Sequence, residues 1–456
     1  MIGFEREPLI RVGLMTQAGE ARITLGGSYV TDAGDPLGDG VYVAQFKDGN
    51  VSLAGEAPGL RVEGVESVRL SPADFDACRV TVHGITIGID FHWQRQEAQQ
   101  FQGALVIQAR DGGMTIINEL PLEAYLVSVI SSEMSAACPP ELLRAHAVVS
   151  RGWLLAQLSQ AAEPATPSTL PSNTGDAADV PLEIIRWYGR ESHSDFDVCA
   201  DDHCQRYQGI SKAFSPEAFS AVRDTRGRAM VWGGAVCDTR YSKSCGGMTE
   251  VYAAAWEARD VAYLAAVYDG AGAVTAYAVP LTDEPNAEAW IRGAPPAFCN
   301  TQSKELLARI LPGFDQETSD FYRWRVRYAA DELRQIVESR LGVNAGRIRS
   351  LDALERGESG RIIRLKITGE RRTLVIGKEL EIRRALSRSH LYSSAFVVET
   401  EVGEGDFPQS FTLIGAGWGH GVGLCQIGAA VMADRGYAHG DILAHYFPGA
   451  RLASLY

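Results

Sequence analysis

The chain has 456 residues, 46% of them apolar and 22% charged, and carries a formal net charge of -14. That length exceeds one compact core, so two to four domains are expected, and the acid excess argues against nucleic acid as the main partner, which calls for a basic domain or stripe. No run approaches the 18 or more apolar residues of a membrane span.

The start, Met1-Ile2-Gly3-Phe4-Glu5-Arg6-Glu7, has neither a basic n-region nor an apolar core. It suits a cytoplasmic protein, or one whose signal segment lies outside this sequence. From about Pro8 to Ile107 the pattern reads as strands, with alternation at Leu9–Leu14, Val41–Ala44 and Arg79–Val82. Gly26-Gly27, Asp35-Pro36 and Asp111-Gly112-Gly113 provide turns between such runs. Two more strands, at Gly103–Ile107 and Met114–Ile117, lead through Asn118–Pro121 into a helix.

That helix carries Leu122, Tyr125, Leu126, Val129 and Ile130 at the spacing of one buried face, and Glu133 continues the face. A carboxyl among apolar neighbours has its charged form disfavoured, as a general acid near neutral pH requires. An exposed turn residue inside a helix-turn-helix core satisfies the same spacing. Pro139, Pro140 and Glu141 suit the first turn of a second helix, which runs on through Leu143, Ala147 and Leu154. Residues 160 to 181, rich in Ala, Pro, Ser and Thr, read as a flexible surface loop.

His193, Cys199, His203 and Cys204 then fall within twelve residues. Two thiolates and two imidazoles are what a tetrahedral zinc site takes, and with all four bound the metal is structural. A Cys199–Cys204 disulfide, or free thiols beside surface histidines, are the alternatives. The other cysteines are Cys78, Cys138, Cys237, Cys245, Cys299 and Cys425, too few in a chain this long for a disulfide scaffold.

Strand-like stretches follow at Ala229–Trp232 and Thr239–Ser242, before Gly246-Gly247. From Phe298 to Tyr392 charge increases: Phe321–Tyr328 alternates, Ala330-Asp331-Glu332-Leu333 opens a helix, and strands are predicted at Arg347–Leu351, Ile362–Ile367 and Arg372–Ile376. The arginines there read as solvated strand faces. The segment Gly415–Gly428 holds six glycines in fourteen residues around Trp418 and His420, without any phosphate-loop register. It suits a groove wall on which a substrate stacks, or equally a tightly packed strand. A helix from Ala429 to Arg435 follows.

Several of these stretches carry a resemblance. Glu133-Met134 with Ala145–Arg151, Phe101–Leu105, Asn118–Leu126, Ser244–Glu250, Ser359-Gly360-Arg361 and, most specifically, Gly417–Gly428 make the chain similar to the SpoIID/LytB domain family, typified by sporulation stage II protein D. It departs from the family pattern at Ser135, where proline is common, and at Arg144–Ala147, where Lys-Ala-Gln-Ala is usual. The 160–181 linker and Cys245 and Cys425 also vary from the common pattern.

The resemblance implies a peptidoglycan lytic transglycosylase at an extracytoplasmic address, or a non-catalytic glycan-binding enhancer of a cell-wall amidase. It places the catalytic glutamate on Glu133 and a structural zinc on His193, Cys199, His203 and Cys204. His146 and Arg151 on the second helix, Ser244 and its turn, and Trp418, His420 and Gln426 then stand as candidate glycan contacts. Glycan strands and a cell-wall amidase are the implied partners, with no nucleic acid. The expected architecture is α+β, multi-domain and β-rich with a helical catalytic segment, its N- and C-terminal motifs converging on one groove. Its parts are a β-rich region (1–110), a catalytic core (111–290), a second α+β region (291–400) and a glycine-rich segment completing the core (401–456).

Overall fold

The computed structural model describes residues 6–55, 61–88, 95–110, 112–135, 137–160, 180–188, 193–201, 204–210, 215–274, 276–311, 320–403 and 405–456. Most of the predicted surface loop, and His203 of the predicted zinc cluster, lie outside them.

The N-terminal region is built from two sheets. Strand Leu9–Ala18 pairs with Gly113–Pro121, which pairs in turn with Ala104–Arg110, within a seven-stranded sheet. Arg79–Ile87 and Glu20–Gly26 lie in a six-stranded antiparallel sheet. Alternation makes these strands two-faced: Val80, Val82, Ile85 and Ile87 turn into the same core as Ile10, Val12, Ile107 and Ile116.

Two helices follow directly, α1 (Leu122–Glu133) and α2 (Pro140–Gln160). The spacing predicted one buried face on α1, but Leu122 and every residue from Tyr125 to Ser132 is buried. The reason is its position: α1 packs on strand Gly113–Pro121 behind it, on α2, and on the helix Pro216–Asp224. Glu123 and Ala124 in its first turn and Glu133 at its C-terminal end are partly exposed.

A second core gathers Trp324, Leu333, Leu365, Leu374, Ile382 and Leu413. It joins a four-stranded sheet, Leu182–Ile185, Thr373–Gly377, Ile362–Gly369 and Ile348–Arg356, to a three-stranded one, Arg323–Ala329, Ser410–Ala416 and Phe396–Glu401. Helix Ala330–Leu341 opens with Asp331 and Glu332 in its first turn, as expected. Arg325 and Arg327 form surface ion pairs with Glu399 and Glu401, as solvated strand faces should. Arg356 and Arg361 are instead buried, Arg356 with its guanidinium on Glu284.

The chain then returns to the first core. Leu424–Cys425 pairs in parallel with Tyr241–Ser242, and isolated bridges join Ser244 to Trp418 and Glu250 to Val422. Together these elements form a β-rich α+β fold of several sheets. Among the described residues, no helix is long and apolar enough to cross a membrane.

Candidate functional site

A cavity of about 420 Å³ opens where the end of α1, the middle of α2 and the glycine-rich segment meet. Glu133, Trp153, Gln157, Tyr241, Ser242, Lys243, Trp256, Trp418, His420 and Gln426 are among the residues that line it. Groups nearly three hundred positions apart in sequence therefore share one recess.

Glu133 is half-buried. Its Oε1 accepts two hydrogen bonds, from the backbone N–H of Arg206 at 3.2 Å and from the Tyr241 hydroxyl at 3.3 Å. The Arg206 N–H is set in place by its neighbours. Gln205 accepts from the Tyr125 hydroxyl at 3.2 Å and donates to the Ser150 carbonyl at 3.2 Å, while the Tyr207 hydroxyl donates to Asn118 at 2.5 Å. Burial, and then the adjacent Glu133, push the Tyr241 phenol well above its usual range, so it remains a donor at any physiological pH.

His146 does not reach the cavity. It is fully buried on α2, with Nε2 2.9 Å from Gln426 Nε2 and Nδ1 3.2 Å from Ser150 Oγ. Its ring meets Tyr241 edge-on at 4.7 Å. Burial, with help from the charge of Lys243, pushes its protonation down to about 3. His146 thus holds two cavity residues, Gln426 and Tyr241, from behind.

Arg151, predicted one turn further along as a glycan contact, is also fully buried and faces elsewhere. Its guanidinium forks onto Glu123 at 3.0 and 2.6 Å and donates to the Arg228 carbonyl at 2.9 Å. Ser244 is buried too, and its backbone pairs with Trp418 in both directions, at 3.1 and 2.7 Å. The neighbouring Ser242 and Lys243 line the cavity instead.

The glycines have a mechanical reason. Gly417, Gly419, Gly421 and Gly423 all have positive φ, which side chains resist. At Gly421 an added Cβ would lie 2.4 Å from the Arg361 guanidinium, and at Gly423 it would lie 2.2 Å from the Arg240 carbonyl. Arg361 is fully buried and donates to the carbonyls of Gly419 and Cys245 and to Ser359 Oγ. Ser359 Oγ donates to the buried Glu250 at 2.7 Å. The tightly packed reading of this segment holds, and that packing is what carries Trp418 and His420 to the cavity wall.

Trp418 rests against Tyr392 (4.3 Å) and Phe321 (4.8 Å). His420 meets Trp256 edge-on at 5.0 Å, and its Nδ1 accepts the Val422 N–H at 3.0 Å. Burial, followed by the charges of Arg240, Arg361 and Arg383, pushes its protonation well below 6.5, leaving a neutral ring. Arg240 is committed to Asp238 at 2.8 and 2.9 Å and lies over Trp256 at 4.3 Å.

Of the predicted metal ligands, His193, Cys199 and Cys204 bring one donor atom each within 4.8 Å of one another. Cys204 Sγ lies 3.5 Å from His193 Nε2. No disulfide joins Cys199 to Cys204 in this structure, which sets that alternative aside. The strand Val198–Cys199 pairs with Leu9–Ala18, so the cluster is anchored on the large sheet, and Cys204 itself borders the cavity.

Sequence reading missed Tyr241, Lys243, Trp153, Gln157 and Trp256. Trp153 and Gln157 share one face of α2 at i, i+4, a spacing that any packed helix face also has. Tyr241 directly precedes the Ser244–Glu250 motif, but its side chain meets Glu133 only through the fold. A second buried group able to hold a metal ion, Cys245, Asp269, Cys299 and Cys425, was also missed.

Comparison with known proteins agrees with the geometry. Residues 110–232 match the family described as Stage II sporulation protein, and residues 250–423 match a domain of unknown function (DUF8618). The chain is similar to stage II sporulation protein D of Bacillus subtilis, 23% identical over 346 residues that cover 74% of this chain and 76% of that protein. It is 26% identical over 351 residues to an uncharacterized protein of Brachyspira hyodysenteriae, covering 77% of this chain and 71% of that one. It is 22% identical over 346 residues to the amidase enhancer of Bacillus subtilis, covering 72% of this chain but only 40% of that longer protein.

Proposed function

We propose, for this member of the SpoIID/LytB family, that the chain cleaves the bond between N-acetylmuramic acid and N-acetylglucosamine in cell-wall glycan, with Glu133 as its single acid and base. The supporting observation is the placement of Glu133 in a recess faced by Trp418 and His420, with Tyr241 and the Arg206 N–H on one carboxylate oxygen.

In the first step protonated Glu133 donates to the glycosidic oxygen as the C1–O bond breaks and positive charge develops at C1. Its carboxylate then takes the proton of the muramic 6-hydroxyl as that oxygen closes on C1. The product is a 1,6-anhydro sugar, and Glu133 regains its proton. The two donors on Oε1 hold the carboxyl group in position through both steps. His146 and Gln426 act behind the reacting groups by fixing Tyr241 and the wall.

His193, Cys199 and Cys204, with His203 as the expected fourth ligand, have the donor set of a structural zinc site. A bound ion would cross-link residues 193–204 and so steady the segment that delivers the Arg206 N–H. Glycan strands as substrate imply an extracytoplasmic address.

A second reading, a glycan-binding partner of a cell-wall amidase, is favoured by the same two hydrogen bonds, which would also fix Glu133 as a purely polar glycan contact. The relative named amidase enhancer points the same way. Purified sacculi separate the two. Wild type should release anhydromuramyl products detectable by mass spectrometry, with Glu133→Gln slower by about 10²-fold or more. Binding of sacculi by wild type without any anhydro product refutes the enzyme and leaves the enhancer.

A further inference from the structure

Four side chains from four separate stretches meet in the core beside the cavity wall. Cys245, Asp269, Cys299 and Cys425 are each 2% exposed or less, and their donor atoms all lie within 4.8 Å of one another. Cys425 immediately precedes Gln426 of the cavity, and Cys245 follows Ser244, whose backbone pairs with Trp418.

The spacing is that of ligands around one ion. Cys245 Sγ and Cys299 Sγ stand 3.7 Å apart. Zinc–sulfur bonds of about 2.3 Å in a tetrahedron put sulfur atoms about 3.8 Å apart. The surroundings are those of ligands as well. Cys425 Sγ accepts the N–H of Cys245 at 3.3 Å and that of Gly428 at 3.4 Å, the second from the first turn of the helix Gln426–Asp434. Such donors stabilise a thiolate. Asp269 is oriented at both oxygens, Oδ2 by the Cys299 N–H at 2.9 Å and Oδ1 by the Tyr446 hydroxyl at 2.6 Å, as carboxylate ligands commonly are. Cysteines serving only as small apolar filler do not call for a fully buried carboxylate among them, because burying that group is costly.

We propose that Cys245, Asp269, Cys299 and Cys425 form a closed tetrahedral site for a soft divalent cation, with zinc the best match, distinct from the His193 cluster. As the three sulfur–metal bonds form, the thiol protons leave to solvent. The donors already aimed at Cys425 and Asp269 meet the residual negative charge. With four protein ligands no coordination position is open, so the ion is architectural. It ties the 245 turn and the 269 and 299 segments to the start of the helix Gln426–Asp434, and so fixes the wall that carries Gln426.

The test uses the full chain carrying Cys199→Ser and Cys204→Ser, which disables the other cluster. After growth with zinc and desalting, this background should hold about one zinc per chain by mass spectrometry of the metal. Adding Cys299→Ser should bring that to near zero. Cobalt(II) loading of the background should give thiolate-to-cobalt charge-transfer absorption, lost in the Cys299→Ser chain. Because Cys299→Ser can itself unfold the core, maleimide labelling of the background is the second measurement: the buried thiols should become reactive only after a strong chelator is added. A folded background without zinc, without a cobalt–thiolate band, and with labelling indifferent to chelator overturns the proposal.

Discussion

The burial of His146 makes a quantitative claim about acid stability. In the folded chain its protonation is pushed down to about 3 by burial and by Lys243, whereas in the unfolded chain it titrates near 6.5. Between those values the unfolded state binds the extra proton, so stability falls as pH falls through this window. From pH 7.5 to pH 5 the loss from this one group is about 2 kcal/mol, and any folded-state value below about 4 gives the same difference. His146→Gln puts an amide in the same place, able to bond Gln426 and Ser150 but unable to titrate. Urea midpoints and slopes measured at pH 7.5 and pH 5 should therefore show the variant losing about 2 kcal/mol less than wild type between the two. Contributions from other groups cancel in that comparison. Equal losses in both proteins would refute the reasoning, because they would mean that His146 is solvated or charged in the folded chain.

Three further outcomes follow from the geometry. Arg151→Met leaves the carboxylate of Glu123 without its partner and should cost about 3–5 kcal/mol of stability, read as a lowered thermal transition, while binding of sacculi per folded molecule is kept; lost binding at unchanged stability would return Arg151 to the groove. Tyr241→Phe removes one donor from Glu133 Oε1, a bond to a charged group worth about 1.5 kcal/mol at the low end, so anhydro-product release should slow roughly tenfold with sacculus binding unchanged. An unaltered rate excludes Tyr241 from the chemistry. Gly421→Ala and Gly436→Ala both place a side chain at positive φ, at a backbone cost of about 1–2 kcal/mol, but only at Gly421 does the new Cβ meet another residue, Arg361. Denaturation should show Gly421→Ala to be the more damaging, and equal costs would mean that Arg361 can move aside.

Local patterns carried much of the architecture. Alternation at Leu9–Leu14 and Arg79–Val82, the Pro140-Glu141 start of α2 and the acidic opening of helix Ala330–Leu341 depend on neighbours a few residues away, and all reappear in the fold. The buried-face reading of α1 held for its five residues but was too narrow, because periodicity sees one helix and not the sheet and helices that enclose it. Arg151 was misplaced for a similar reason. Helical spacing says which residues share a face, but whether that face meets solvent, ligand or Glu123 depends on what packs there.

The sequence by itself determined that Glu133, the His193–Cys204 cluster and the Gly417–Gly428 segment are unusual, because residue type and spacing are local properties. Only the tertiary structure decided that Trp418, His420 and Gln426 share a recess with Glu133, that Tyr241 donates to its carboxylate, and that Cys245, Asp269, Cys299 and Cys425 form a single cluster. The Glu133–Tyr241 bond spans 108 residues and the Cys245–Cys425 bond 180, and such contacts are set by sheet pairing and by glycines that let backbones approach. No short-range pattern records them.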